Sequence, residues 1–163
     1  VMTVARTTGC AAALLLLAGC AASDHIITPE LTATPNTVIT RTGEGVFVSG
    51  YWFRAPYRFE SKTDALDCLS RQVKAQGGEV SDIDAGDNEL QMGIVLPVSE
   101  MLLATRLHFQ HSNTEGNYYY FEKPRLGSNH DERVSASGNH PAIDLRDGLK
   151  ALTDNIQACL PSA

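Results

Sequence analysis

Leu90, Met92, Ile94 and Leu96 stand two residues apart, and a second such series, Met101, Leu103, Leu107 and Phe109, begins just beyond it. Arg106, His108 and Gln110 occupy the alternate positions of the second series. Successive side chains of a β-strand point to opposite faces, so this alternation marks strands with one face buried and the other wet. Strands of this kind suit antiparallel sheets, because strands of a buried parallel sheet read as unbroken apolar runs. Pro97 marks the corner between the two series. The pair restricts the chain to folds built on an antiparallel sheet.

The remaining elements are consistent with that frame. "TVITR" and "VFVSGYWF" flank "TGEG", whose glycines permit the positive φ of a tight turn, so residues 37–53 are predicted to form a hairpin. Pro56 ends it. "GNYYYFEK" predicts a further strand, reached through "HSNTEGN", and residues 133–136 are a candidate for a short edge strand. Ser61 and Asp64 resemble a capping box, opening a helix that runs to about Gln76 and stops at Gly77-Gly78. Its apolar stripe is Leu66, Leu69 and Val73 with Ala65 beside them, and Cys68 falls at the edge of that arc. Leu145, Leu149, Leu152, Ile156 and Leu160 predict a final helix with Asp144 or a neighbour as cap, Pro161 as stop and Cys159 within its apolar arc. The expected fold class is therefore α+β: an antiparallel sheet with two helices packed on one face, a two-layer sandwich.

"LLLLAGCAAS", residues 14–23, calls for a different reading. As a helix, the apolar block 11–18 would cover roughly 12 Å, far short of the ~30 Å of a bilayer core. A single basic residue, Arg6, then a short apolar centre and small residues make a secretory signal. Leu17-Ala18-Gly19-Cys20 resembles the lipobox of bacterial lipoproteins. The resemblance implies that the Cys20 thiol is acylated, that the chain is cut just before it, and that the new amino terminus receives a further chain such as palmitate. Two or more acyl chains make a stable membrane anchor. Ala21 and Ala22 follow where an Asp would retain such a protein in the inner membrane, so the resemblance favours the outer membrane, periplasmic side. The implied organisation is a removed signal peptide (1–19), a lipidated flexible tether (20–37) rich in Thr, Ser, Ala and Pro, and one periplasmic domain (38–163).

Of the four cysteines, Cys10 leaves with the signal and Cys20 takes lipid. Cys68 and Cys159 remain and are expected to pair in an oxidising compartment. The cross-link would close a loop of about ninety residues, worth roughly 4–5 kcal/mol in the chain-entropy model. A catalytic thiol or two buried free cysteines are the alternatives; the lack of a C-x-x-C pair argues against a redox role. The net charge is −6 and no basic run occurs, which argues against nucleic acid and anionic lipid surfaces as partners.

Catalytic signatures are missing: no nucleophile elbow, phosphate loop, zinc-protease helix or dinucleotide fingerprint is present. His108 and His111 would face opposite ways on a strand, which is wrong for a shared metal. His130 and His140, with Asp131 and Glu132, could form a zinc site but read more simply as solvated loop side chains in the long polar stretch 124–141. Asp82, Asp84, Asp87 and Glu89 fail a calcium-loop template, which would need Gly and Glu where Asp87 and Gly93 stand, and read as a solvated turn. The aromatics are more informative. Consecutive residues of a strand cannot all face inward, so Trp52, Tyr118, Tyr119 and Tyr120 form the candidate partner surface. The plainer reading is half core and half cross-strand pairs on the outer sheet face.

The expected function is a non-enzymatic binding or accessory module, held at the membrane by its lipid and engaging an envelope protein, with no metal or cofactor. The alternatives are a hydrolase of cell wall or lipid using His130 or His140 with Asp131 or Glu132, and a carrier with an apolar cavity for a lipid or small ligand.

Overall fold

The computed structural model describes residues 25–33, 35–138 and 141–162; the lipobox and Cys20 lie outside them. Among the described residues seven strands form one sheet: β1 Thr37–Thr42, β2 Gly45–Ala55, β3 Glu79–Ala85, β4 Glu89–Val98, β5 Met101–Ser112, β6 Gly116–Leu126 and β7 Glu132–Ser135. Every pairing is antiparallel, in the order β1-β2-β7-β6-β5-β4-β3, and β2 also pairs with β6 beyond the end of β7. Three helices accompany the sheet among the described residues: α1 Pro29–Thr32, α2 Lys62–Ala75 and α3 Ala142–Cys159. The fold is α+β.

The alternating series behave as their spacing requires. Leu90, Met92, Ile94 and Leu96 of β4 lie opposite Phe109, Leu107, Thr105 and Leu103 of β5, and all of these are buried. Thr105 interrupts the apolar series at a bulge between β5 and β6, where its hydroxyl donates to the Glu122 carbonyl at 2.7 Å. That bond satisfies a polar group the core would otherwise penalise. The hairpin of β1 and β2 turns through Gly43 and Glu44, with Gly45 at φ 145° on its return.

Ser61 caps α2, accepting from the Asp64 N–H at 3.2 Å while its hydroxyl donates to the Asp64 carboxylate at 2.6 Å. Gly77, at φ 81°, ends the helix in the left-handed region where glycine carries no Cβ penalty. Helix α3 begins at Ala142, so Asp144 sits in its first turn, where its charge suits the helix dipole, and is not the cap. Leu145, Leu149, Leu152, Ile156 and Leu160 are fully buried. Cys68 and Cys159 form a disulfide between α2 and α3, with Cα atoms 5.9 Å apart. One cluster of buried residues draws on β2, β4, β5, β6, β7 and all three helices.

Three elements depart from the sequence reading. Residues 79–85 form β3, part of which was expected to be a turn: six of its seven residues are exposed, so an edge strand left no alternation to read. Its carboxylates do stand in solvent, with Asp82 at φ 48° in a bulge. Residues 27–33, expected within the flexible tether, pack onto the domain. Ile27 bridges Ser137, the Thr28 N–H donates to the Ala136 carbonyl at 2.8 Å, and Leu31 of α1 is buried. One leucine in a four-residue helix sets up no detectable period. Finally, β7 is not an edge strand; it pairs with β2 on one side and β6 on the other.

Candidate functional site

Cross-strand register arranges the polar side of the alternation into three rows. Arg54, Tyr118, Gln110 and Glu89 stand abreast on β2, β6, β5 and β4; Trp52, Tyr120, His108 and Gln91 form the next row; Gly50, Glu122, Arg106 and Gly93 form the third. Apart from Gly50, every one of them is half-buried or exposed, whereas the intervening Tyr51, Phe53, Leu107, Phe109, Tyr119 and Phe121 are buried. This is the open face of the sheet.

Its side chains hold one another in place. His108 lies between two carboxylates, Nδ1 at 2.7 Å from Glu89 Oε1 and Nε2 at 2.9 Å from Glu122 Oε2. Both ring nitrogens thereby face a carboxylate oxygen. Arg106 Nε donates to Gln91 Oε1 at 3.0 Å. The Tyr120 ring lies so close over Gly50 that a Cβ there would sit 2.5 Å from Tyr120 Cε2, so a larger residue would have to displace the ring. Partial burial, then the Glu122 charge, pushes the Tyr120 hydroxyl above its ordinary pKa. The Trp52 and Tyr118 rings are 6.3 Å apart, and the Arg54 guanidinium lies 4.9 Å from the Tyr118 ring centre.

Tyr119 corrects the expected surface. It is fully buried and its hydroxyl donates to Gln157 Oε1 of α3 at 2.7 Å, so it belongs to the core and not to the partner surface with Trp52, Tyr118 and Tyr120. Burial raises its pKa strongly, keeping the hydroxyl a donor. The signal that separates it was available. Tyr119 shares its parity with Phe121, and Tyr118 and Tyr120 share theirs with Glu122, so the charge marks the wet side. Arg106 and His108 were expected on one wet face; that Arg54, Glu89 and Glu122 join them there was not anticipated.

At the Ala55 end of the sheet, an open cleft of about 860 Å³ lies between the first row, the β5–β6 turn and the segment after β2. Asn117, fully buried, fixes that segment. Its Oδ1 accepts from the Arg58 N–H at 3.4 Å and its Nδ2 donates to the Arg58 carbonyl at 2.9 Å and to Gln157 Oε1 at 3.1 Å. Gln157 Nε2 donates to the Pro56 carbonyl at 2.6 Å. Gly116, at φ 90°, lets β6 start against the Ala55 carbonyl, which a Cβ would meet at 2.4 Å. His111 stacks on Phe59 with ring centres 3.5 Å apart, and burial, followed by the Lys62 charge, lowers its pKa from 6.5.

The other candidates are dispersed. His130, at φ 55° in the β6–β7 turn, is exposed with Asp131 and Glu132, and no carboxylate hydrogen-bonds its ring among the described residues. His140 lies outside the described residues. Asp84 and Asp87 are exposed, Asp87 paired with Lys62 at 3.1 Å. No group of three or more metal-ligating side chains occurs among the described residues, and no described helix is long and apolar enough to cross a membrane. No family model, curated protein or solved structure matches the chain.

Proposed function

We propose that the chain is a lipoprotein held through Cys20 at the periplasmic side of the outer membrane, and that its domain is a non-enzymatic module binding an envelope partner through the open sheet face. In this reading the domain is a two-layer sandwich, with α2 and α3 covering the face opposite the three rows. Its support is the disulfide joining the two helices, the Tyr51 hydroxyl donating to the Ala142 carbonyl at 2.7 Å, and the Tyr119–Gln157 bond. The observation that carries the functional reading is the set of half-buried Trp52, Tyr118 and Tyr120 beside Arg54 and Arg106. Aromatics and arginine supply large contact area with few rotatable bonds and are enriched where proteins bind. The hydrolase alternative, on His130 or His140 with Asp131 or Glu132, has less support: among the described residues no carboxylate hydrogen-bonds the exposed His130 ring, and His140 lies outside them.

A photoactivatable side chain at Gln110, on the open face, or at Lys150, exposed on α3, tests the reading in cells. Gln110 is expected to yield a discrete adduct, protein or polymer, that Lys150 does not give and that Trp52→Ala with Tyr118→Ala abolishes. Equal adducts from both positions, or indifference to the aromatic substitutions, would refute the face. Cys20→Ser is expected to move the chain from the membrane to the soluble fraction, and continued sedimentation with lipid would refute the anchor.

A further inference from the structure

We infer that the cleft at the Ala55 end of the sheet binds a neutral oligosaccharide, with Tyr57 as its stacking platform. The inference rests on reading the open face as a binding surface, since Arg54 and Tyr118 belong to both; it does not depend on the lipid anchor.

The starting point is a mismatch between support and use. Tyr57 is 38% exposed, so its ring contributes little to the core. Yet the residues on either side of it are clamped by side-chain amides: buried Asn117 holds both the N–H and the carbonyl of Arg58, and half-buried Gln157 holds the carbonyl of Pro56. A buried amide is costly unless its bonds are made. Here Asn117 is used to fix the backbone that carries an exposed aromatic ring, an arrangement that suits a preorganised binding site.

The lining then selects the ligand. At about 860 Å³ the cleft falls within the roughly 300–1,000 Å³ of small-molecule sites. Such sites are usually mostly apolar; this one is lined by amides and charges, which disfavours a lipid. Arg54 faces Glu89 and Glu115 across it, so cations are not in excess and a phosphate or nucleic acid would meet carboxylates. Burial, then the Lys62 charge, lowers the His111 pKa, which favours its neutral form. A peptide would seek a strand edge for backbone pairing, but β5 and β6 are paired on both sides, and β2 offers only the few residues that run past the end of β1. What remains is a neutral ligand rich in hydroxyls. Each hydroxyl donates and accepts, as do the amides of Asn88, Gln110 and Asn113 that line the cleft. The C–H face of a sugar ring lies flat on an aromatic ring, and Tyr57 and Tyr118 both border the space. The Trp52–Tyr118 pair continues the aromatic path onto the open face, so a chain longer than one sugar fits the surface.

The test is titration of the full chain, purified in a sugar-free detergent, with chitotetraose, cellotetraose and maltotetraose, read by calorimetry and saturation-transfer NMR. At least one tetrasaccharide is expected to bind saturably, and Tyr57→Ala to weaken it about ten-fold with the melting temperature unchanged. Tyr118→Ala is the second variant, expected to weaken binding likewise. Failure of all three sugars to bind saturably overturns the inference, as does binding unchanged in both variants. A Gln110 photo-adduct identified as a protein, with no tetrasaccharide bound, overturns the saccharide and leaves the open face standing as a binding surface.

Discussion

Removing the Cys68–Cys159 link tests how the two long helices are held. The bond spans 91 residues of chain. In the entropic model, a loop of that length restricts the unfolded ensemble by about 15 cal/mol/K, or ~4.5 kcal/mol at room temperature. A domain of roughly 140 residues unfolds with an entropy near 0.3 kcal/mol/K, so the loss corresponds to about 15 °C in melting temperature. The site is favourable for a clean substitution. Cys68 is buried, so serine would add a hydroxyl to the core, whereas alanine does not. The Ile156 carbonyl, 3.2 Å from the Cys68 sulfur, already accepts from the Leu160 N–H at 3.0 Å. Alanine therefore orphans no acceptor, and the measured change reports the cross-link.

Thermal unfolding by circular dichroism, on oxidised protein, on protein held in reductant and on the Cys68→Ala/Cys159→Ala double variant, gives the comparison. The reduced and double-variant chains are expected to melt together, about 15 °C below the oxidised chain, and reductant to have no further effect on the variant. A drop of less than about 5 °C would mean that the helices are held by packing alone and that the chain-entropy account fails here. A drop in the double variant with none on reduction would place the loss in the missing side chains and not in the bond.

Two further substitutions test local packing and charge. Gly148 lies on the face of α3 against β4, where a Cβ would stand 2.5 Å from Val98 Cγ1. Gly148→Ala should thus destabilise by up to about 2 kcal/mol in urea melts, the overpacking penalty of ~1–3 kcal/mol set against a helix-propensity gain of ~1 kcal/mol; a stabilised variant would refute the close contact. His111 has a pKa lowered by burial and then by Lys62, so the unfolded chain takes the proton first and the stability His111 supplies is lost as pH falls below 6.5. Wild type should lose stability relative to His111→Phe, which keeps the stacked ring, between neutral and acid pH; a constant difference would sink the assignment.

What the sequence discloses depends on how far apart the interacting residues lie. The strands β4 and β5 are legible because burial of one face writes itself into neighbouring residues, Leu90 to Leu96 and Leu103 to Phe109. Helix α3 is legible for the same reason, its five apolar residues recurring within each turn. Strand β3 is not, because an exposed edge imposes no pattern, and α1 is not, because Leu31 alone carries its burial. Cys68 and Cys159 could be paired by elimination, yet the three rows of the open face could not be drawn at all. They depend on register between strands, and Arg54, Tyr118, Gln110 and Glu89 come from four of them. The Asn117–Gln157 network lies further out of reach: it joins residues forty apart from a strand and a helix, and nothing near either amide announces the other.

Strand β2 also serves as a ruler between the two ends of the molecule. The first described residues enter beside its start: Arg41 of the hairpin donates to the His25 carbonyl at 3.1 Å, Ile27 bridges Ser137, and the Ala136 N–H donates to the Val46 carbonyl at 2.9 Å. The cleft lies beyond its finish, at Arg54 and Tyr57. At ~3.3 Å per residue, the two ends stand roughly 30 Å apart. The five residue steps from Cys20 to His25 can extend at most about 18 Å. A lipid on Cys20 would therefore hold the hairpin end close to the bilayer and turn the cleft away from it. The two proposals, argued from separate residues, are thus compatible: an anchor at Cys20 would leave the cleft at the far end of β2 open to a ligand.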